Sequence, residues 1–225
     1  MSTKLYDLVL RGGTVATATA VFPADIAIDG ECIAAVGRNL PSAAMEMEAA
    51  GKLVLPGGVD SHAHIEQVSS AGILNADTFE SATVSAAFGG TTTVISFAAQ
   101  HVGLKLDEVV EAYHALAKKG AVIDYAFHMI IADPTETTLK DHVPKLVRAG
   151  HATIKVFMTC LKLDDMQLLD VLYAARESGA LVCVHAENHA MIDWTGKRLI
   201  ANGHRAPRYH GVSHPAAAKP RPSTV

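Results

Sequence analysis

Apolar residues along the chain follow two regimes that meet near residue 55. Before that point they come in short stretches, "YDLVLRGGTV" (6–15), "ADIAIDGECIAAVG" (24–37) and "MEMEAAGKLVLPG" (45–57), separated by Gly, Pro and Asp-Gly turn signals. Short β-type pieces with such breakers predict an antiparallel sheet over 1–55. Beyond it, compact apolar runs alternate with amphipathic stretches. The runs "GVDSHAH", "TTTVISFA", "VIDYAFHMII", "ATIKVFMT" and "LVCVHAEN" predict strands, and segments such as "LDEVVEAYHALAKKG" and "LDDMQLLDVLYAARESGA" carry helical spacing. This repeated β/α unit predicts an α/β fold with a parallel sheet, whose functional side chains lie at the carboxyl ends of the strands. Five strands are visible where a closed (β/α)8 barrel needs eight. The sheet is therefore either open or a partial barrel over 56–217, following a β portion over 1–55 and followed by a tail over 218–225.

Composition narrows the class. With 49% hydrophobic and 19% charged residues, 225 residues can bury a substantial core. A net charge of -4 and a pI near 6.3 supply no broad basic surface for nucleic acid or anionic lipid. No apolar run approaches the roughly 18 residues of a spanning helix. Small molecules remain the expected partners. Cys32, Cys160 and Cys183 are too scattered for a disulfide framework, and residues 1–4 lead into a strand rather than a signal peptide, so the reducing cytoplasm is the expected compartment.

Candidate chemistry sits at the strand ends. In "GGVDSHAHIE", His62 and His64 are two residues apart and share one face of a strand, where they can share one divalent metal. Alone, the pair is as compatible with a structural role as with metal ligation. Lys155 interrupts the otherwise apolar "ATIKVFMT"; burial of an ammonium favours the neutral amine, which can combine with carbon dioxide and lose a proton to give a two-oxygen carbamate anion. A lysine that reaches the rim or pairs with a carboxylate is the competing reading. His185 ends "LVCVH" in the same way, and Cys183, deeper in that strand, reads as a core residue. Three strands ending in His-x-His, Lys and His converge on one rim suited to metal.

Taken together, "LVLPGGVDSHAHIE", "TIKVFMT", "LKLDD" and "VHAENHAMI" resemble the hydantoinase and dihydropyrimidinase branch of the amidohydrolase superfamily, in order from about Tyr6 to Pro215. The resemblance implies a (β/α)8 barrel beside a small β-sandwich, and two zinc ions bridged by N6-carboxylated Lys155. It also implies hydrolytic opening of a small cyclic amide or imide by a hydroxide held between the metals. Carried over by motif, His62 and His64 bind the first ion and His185 the second, with Asp60 and Glu66 in supporting positions. The family's proton-shuttling aspartate and a further histidine ligand would lie beyond Val225. A full-length protein of this kind would form a homo-oligomer, as the family's tetramers do. Allantoinase-like and dihydroorotase-like activities share the site plan, and a non-catalytic relative or inert fragment is the reading from outside the enzyme class.

Two departures from the family pattern stand out. Where a tyrosine usually follows the bridging lysine as oxyanion donor, "KVFMTCLKL" places Cys160, either a poor substitute donor or a small core residue in a shifted loop. And where the family continues with an acidic, alanine-rich helix, the chain reads "AKPRPSTV", which Pro220 and Pro222 keep from being helical. Deleting one nucleotide from suitable Ala-Glu repeat codons yields the residues of 218–224. The expectation is a truncated or frameshifted form, inactive alone.

Overall fold

The computed structural model describes residues 6–69, 72–159 and 163–219. The chain divides into two compact units, Met1–Gly57 and Gly58–Val225.

In the first unit, β1 (Tyr6–Ala16), β2 (Val21–Asp29), β3 (Cys32–Gly37) and β4 (Ala43–Glu48) form a sheet in the order β3-β2-β1-β4, and the short β5 (Leu53–Val54) also pairs with β1. The Asp29-Gly30 signal does reverse the chain between β2 and β3. Gly30 adopts φ 59°, a left-handed conformation that most side chains resist, and its N–H donates to the Asp7 carboxylate at 2.8 Å. Gly13 serves a different purpose: a Cβ there would stand 2.7 Å from Val54 Cγ2, so its hydrogen side chain permits β5 to lie against β1. Arg11 on β1 ties three strands together, reaching Asp25 on β2 at 3.3 Å and Glu46 on β4 at 2.5 Å. The sheet is mixed, because β4 and β5 both run parallel to β1. This corrects the antiparallel expectation. Turn residues specify where a chain reverses, whereas strand orientation follows from which free edge the returning chain reaches, and here that edge is β1 rather than its sequence neighbour β3.

The second unit is a β/α repeat. Its strands are β6 (Gly58–Ala63), β7 (Thr91–Ala99), β8 (Asp124–Ile130), β9 (Thr153–Phe157) and β10 (Leu181–His185). Between and after them come α1 (Phe79–Phe88), α2 (Leu106–Ala117), a π-helical turn (Thr138–His142) that runs into α3 (Val143–Arg148), α4 (Asp165–Ser178) and α5 (His189–Ala201). All five strands are parallel, in the order β10-β9-β8-β7-β6. Helix starts are specified locally. Thr78 and Ser81 cap α1 reciprocally, and Asp164 and Gln167 do the same for α4, each pair satisfying backbone N–H groups that the first turn leaves open.

Alternation along the strands decides which side chains are buried. In β9, Ile154 and Val156 are fully buried, while Thr153, Lys155 and Phe157 stand half-exposed on the other face. The buried face joins Val94, Phe127 and Met129 of the neighbouring strands to Phe79, Leu106, Val110, Val143 and Val171 of the helices in one core. Burying each such aliphatic side chain contributes on the order of 1.5–3 kcal/mol.

Among the described strands, β10 has a neighbour on one side only. It exposes Leu181 at 64%, and Trp194 of α5 is 62% exposed. Free ladder groups beside apolar surface template association with other chains. The 225-residue chain by itself should therefore self-associate in light scattering at micromolar concentration; a monodisperse, stable monomer would contradict this.

Candidate metal centre

The site begins with an irregularity in β6. Asp60 pairs with Val94 and Ala63 with Ser96, so β6 spends three steps where β7 spends two, which is a β-bulge. The Asp60 carboxylate holds the bulge by accepting the His62 N–H at 2.9 Å. As a result His62 and His64 both pack on one ring. Phe97 of β7 lies 4.7 Å from the His62 ring and 4.6 Å from the His64 ring, and the two imidazoles are 5.4 Å apart. Because Gln67 Oε1 can only accept, His64 donates to it through Nδ1 at 2.7 Å, which leaves the Nε2 lone pair free. Burial pushes the His62 pKa below the ordinary imidazole value, with further lowering by His64, Lys155 and His128 against a smaller opposing effect of Asp60. These influences favour the neutral ring over the charged one.

Lys155 shares this space. It stands on the half-exposed face of β9, its Nζ 4.9 Å from the centre of the Phe157 ring, and its charge acts on His62. Between the strands that carry these residues lies His128 of β8. Its Nε2 donates to the Ser61 carbonyl at 3.0 Å, its Nδ1 accepts from the Thr153 hydroxyl, and its ring packs 5.0 Å from Phe97. One imidazole therefore joins β6, β8 and β9. His128 was absent from the candidates read from the sequence, although a single imidazole in the apolar run "VIDYAFHMII" is the same signal that marked His185.

The remaining candidates are placed differently. His185 stacks on Phe157 at 5.6 Å and turns its Nε2 to Glu187 at 2.9 Å, an interaction that holds the Glu187 carboxyl below the usual range. Cys183 pairs in register with Lys155 and is exposed, not a core residue, because no described strand covers that side of β10. Glu66 adopts φ 50° and accepts the Phe79 N–H at 2.9 Å, fastening the loop after β6 to the start of α1. Cys160 lies outside the described residues, as does the tail from Pro220 onward. The structure thus brings His62, His64, Lys155 and His128 to one face and leaves His185 with Glu187. Among the described residues, no three His, Cys, Asp or Glu side chains gather into a metal-binding group.

The donor chemistry on β6 fits a divalent ion. Paired imidazoles, one whose pKa is lowered and the other with its Nε2 lone pair left open by a hydrogen bond at Nδ1, are suitable ligands for zinc and its neighbours.

Residues 53–209 match the amidohydrolase family, and the chain belongs to it. A D-hydantoinase of Geobacillus stearothermophilus is 41% identical over 212 residues, which are 92% of this chain and 45% of that protein. A D-hydantoinase of Streptomyces coelicolor is 42% identical over 212 residues, 90% of this chain and 45% of the relative. A solved D-hydantoinase structure superposes with a TM-score of 0.91 at 38% identity, covering 95% of this chain and 47% of that one. A dihydropyrimidinase structure from Brevibacillus agri gives a TM-score of 0.88 at 37% identity, covering 93% and 46%. The parallel sheet and its helices are accordingly part of a (β/α) barrel of the amidohydrolase type. The chain spans about half the length of the curated relatives it matches.

Glu66 and Asp60 act on backbone N–H groups, and their loss should be read in stability. Glu66→Ala should lower unfolding free energy by about 1 kcal/mol, with Glu66→Gln retaining part of it, in a urea titration. An unchanged unfolding free energy in Glu66→Ala would mean that the Phe79 contact contributes nothing.

Proposed function

We propose that the whole protein is a metal-dependent cyclic amidohydrolase that hydrolyses hydantoin or dihydropyrimidine rings, and that the 225-residue chain carries its first ligands without activity of its own. The observation that supports this most is the pair of imidazoles on β6 directed, by one bulge and one phenylalanine, to the face that Lys155 occupies. Likeness to D-hydantoinases and a dihydropyrimidinase supports the choice of ring.

In this reading His62 and His64 would hold one zinc ion, His185 would hold a second, and N6-carboxylated Lys155 would be the ligand they share. Bound there, the metal pair supplies Lewis-acid polarisation of the ring carbonyl and an activated water at neutral pH. The chain's own residues prepare the site. Gln67 keeps the His64 lone pair outward, Asp60 sets the bulge, and Phe97 gives both imidazoles a common packing surface. In the sequence, Cys160 stands where the family pattern has its oxyanion donor, either as a poor substitute donor or as a small packing residue of a shifted loop.

The test uses a protein extended to the length of its relatives. It should open hydantoin or dihydrouracil and hold two zinc ions per subunit. Lys155→Ala should release both ions together, because it removes their shared ligand, and a short carboxylic acid should restore part of the activity. Two retained metals and normal turnover in that variant would refute the role of Lys155. In the same protein, Cys160→Tyr should raise kcat by roughly 10²-fold if the position lacks an oxyanion donor. A well-folded variant with unchanged kcat would assign Cys160 to packing.

A further inference from the structure

The second unit carries another pair of imidazoles, remote from His62 and His64. His114 lies near the carboxyl end of α2, and His151 lies in the turn that enters β9. Both therefore belong to the end of the sheet where the strands begin, whereas His62 and His64 stand where β6 ends. His114 packs over the outer, helix-covered face of β8, 4.9 Å from the Phe127 ring and 5.9 Å from Tyr125. The His114 and His151 Nε2 atoms are 3.3 Å apart, and the ring centres are 5.2 Å apart.

These two separations define a direction. Two rings that point at one tetrahedral ion with bonds of about 2.05 Å have nitrogens about 3.3 Å and centres about 5.2 Å apart. Rings joined end to end by a linear N–H···N bond of the same length would have centres about 5.6 Å apart, since each nitrogen lies about 1.15 Å from its ring centre. The observed pair is bent rather than end to end: its spacing fits the convergent arrangement, and the same contact also meets the geometry of a bent N–H···N hydrogen bond in the absence of an ion. We propose that His114 and His151 form a second metal site, a two-imidazole clip for zinc or a similar borderline divalent ion, which fastens α2 to the turn before β9.

The surroundings support ligation. Burial pushes both imidazoles toward the neutral form, the one in which a ring nitrogen can bind metal. A ring N–H of His151 is bonded to the Phe127 carbonyl, the kind of outer contact that fixes the orientation of a ligating histidine. Glu111, one turn earlier on α2, places negative charge near His114, while Lys118 opposes it. Two protein ligands leave the other positions to water, so the site is a stabilising clip, open to exchange, and it does not depend on the proposed hydrolase activity.

Zinc added alone to the metal-free 225-residue chain provides the test. Calorimetry should show a binding event that weakens about 10- to 100-fold in His114→Gln and in His151→Gln and persists in His62→Gln. A binding profile unchanged in both of the first two variants, or the absence of any event independent of His62, would overturn the proposal. Independently of any variant, zinc should protect His114 and His151 together from diethylpyrocarbonate, read by mass spectrometry of the wild-type chain. Unchanged modification of both residues at saturating zinc would overturn it as well.

Discussion

Lys155 and His128 stand on strands whose opposite face is buried beneath helices, and that packing sets the direction of both side chains. In β9, Ile154 and Val156 fix the strand against the core, and the period of two then delivers Thr153, Lys155 and Phe157 to the other side. The same alternation in β8 buries Phe127 and Met129 and turns His128 away from them. Loss of helix-side packing would not merely destabilise the sheet; it would remove the reference against which the polar face is aligned.

Alternation alone would not bring the strands' polar residues together. That depends on bonds that cross between strands. His128 joins the Ser61 carbonyl to the Thr153 hydroxyl, and Phe97 provides one apolar surface for three imidazoles. The proximity of these groups is why His62 responds to His64, Lys155 and His128 together. Asp60 and Glu66 contribute in a different way. They satisfy backbone N–H groups at the bulge and at the start of α1, so their carboxylates are structural supports of the histidine strand.

Much of this was legible in the chain. The switch near residue 55, the five strands of the β/α repeat and the four candidates His62, His64, Lys155 and His185 follow from apolar periodicity and from polar residues that interrupt it. Less legible were strand partners and side-chain directions. The parallel pairing of β4 and β5 with β1 carries no local mark, because edge choice depends on residues far apart in sequence. Cys183 read as a core residue because apolar neighbours flank it, yet coverage of β10 depends on strands that its own sequence does not encode.

The sequence by itself determined which residues have the period of a strand or a helix, and where imidazoles and an amine interrupt apolar runs, since these depend on neighbours a few positions away. Only the tertiary structure decided that Asp60 spends its carboxylate on a bulge, that His185 turns to Glu187, that His128 links three strands, and that His114 meets His151 across 37 positions of sequence. Those pairings are set by register and by packing of α2 against β8, and neither is encoded in any one segment.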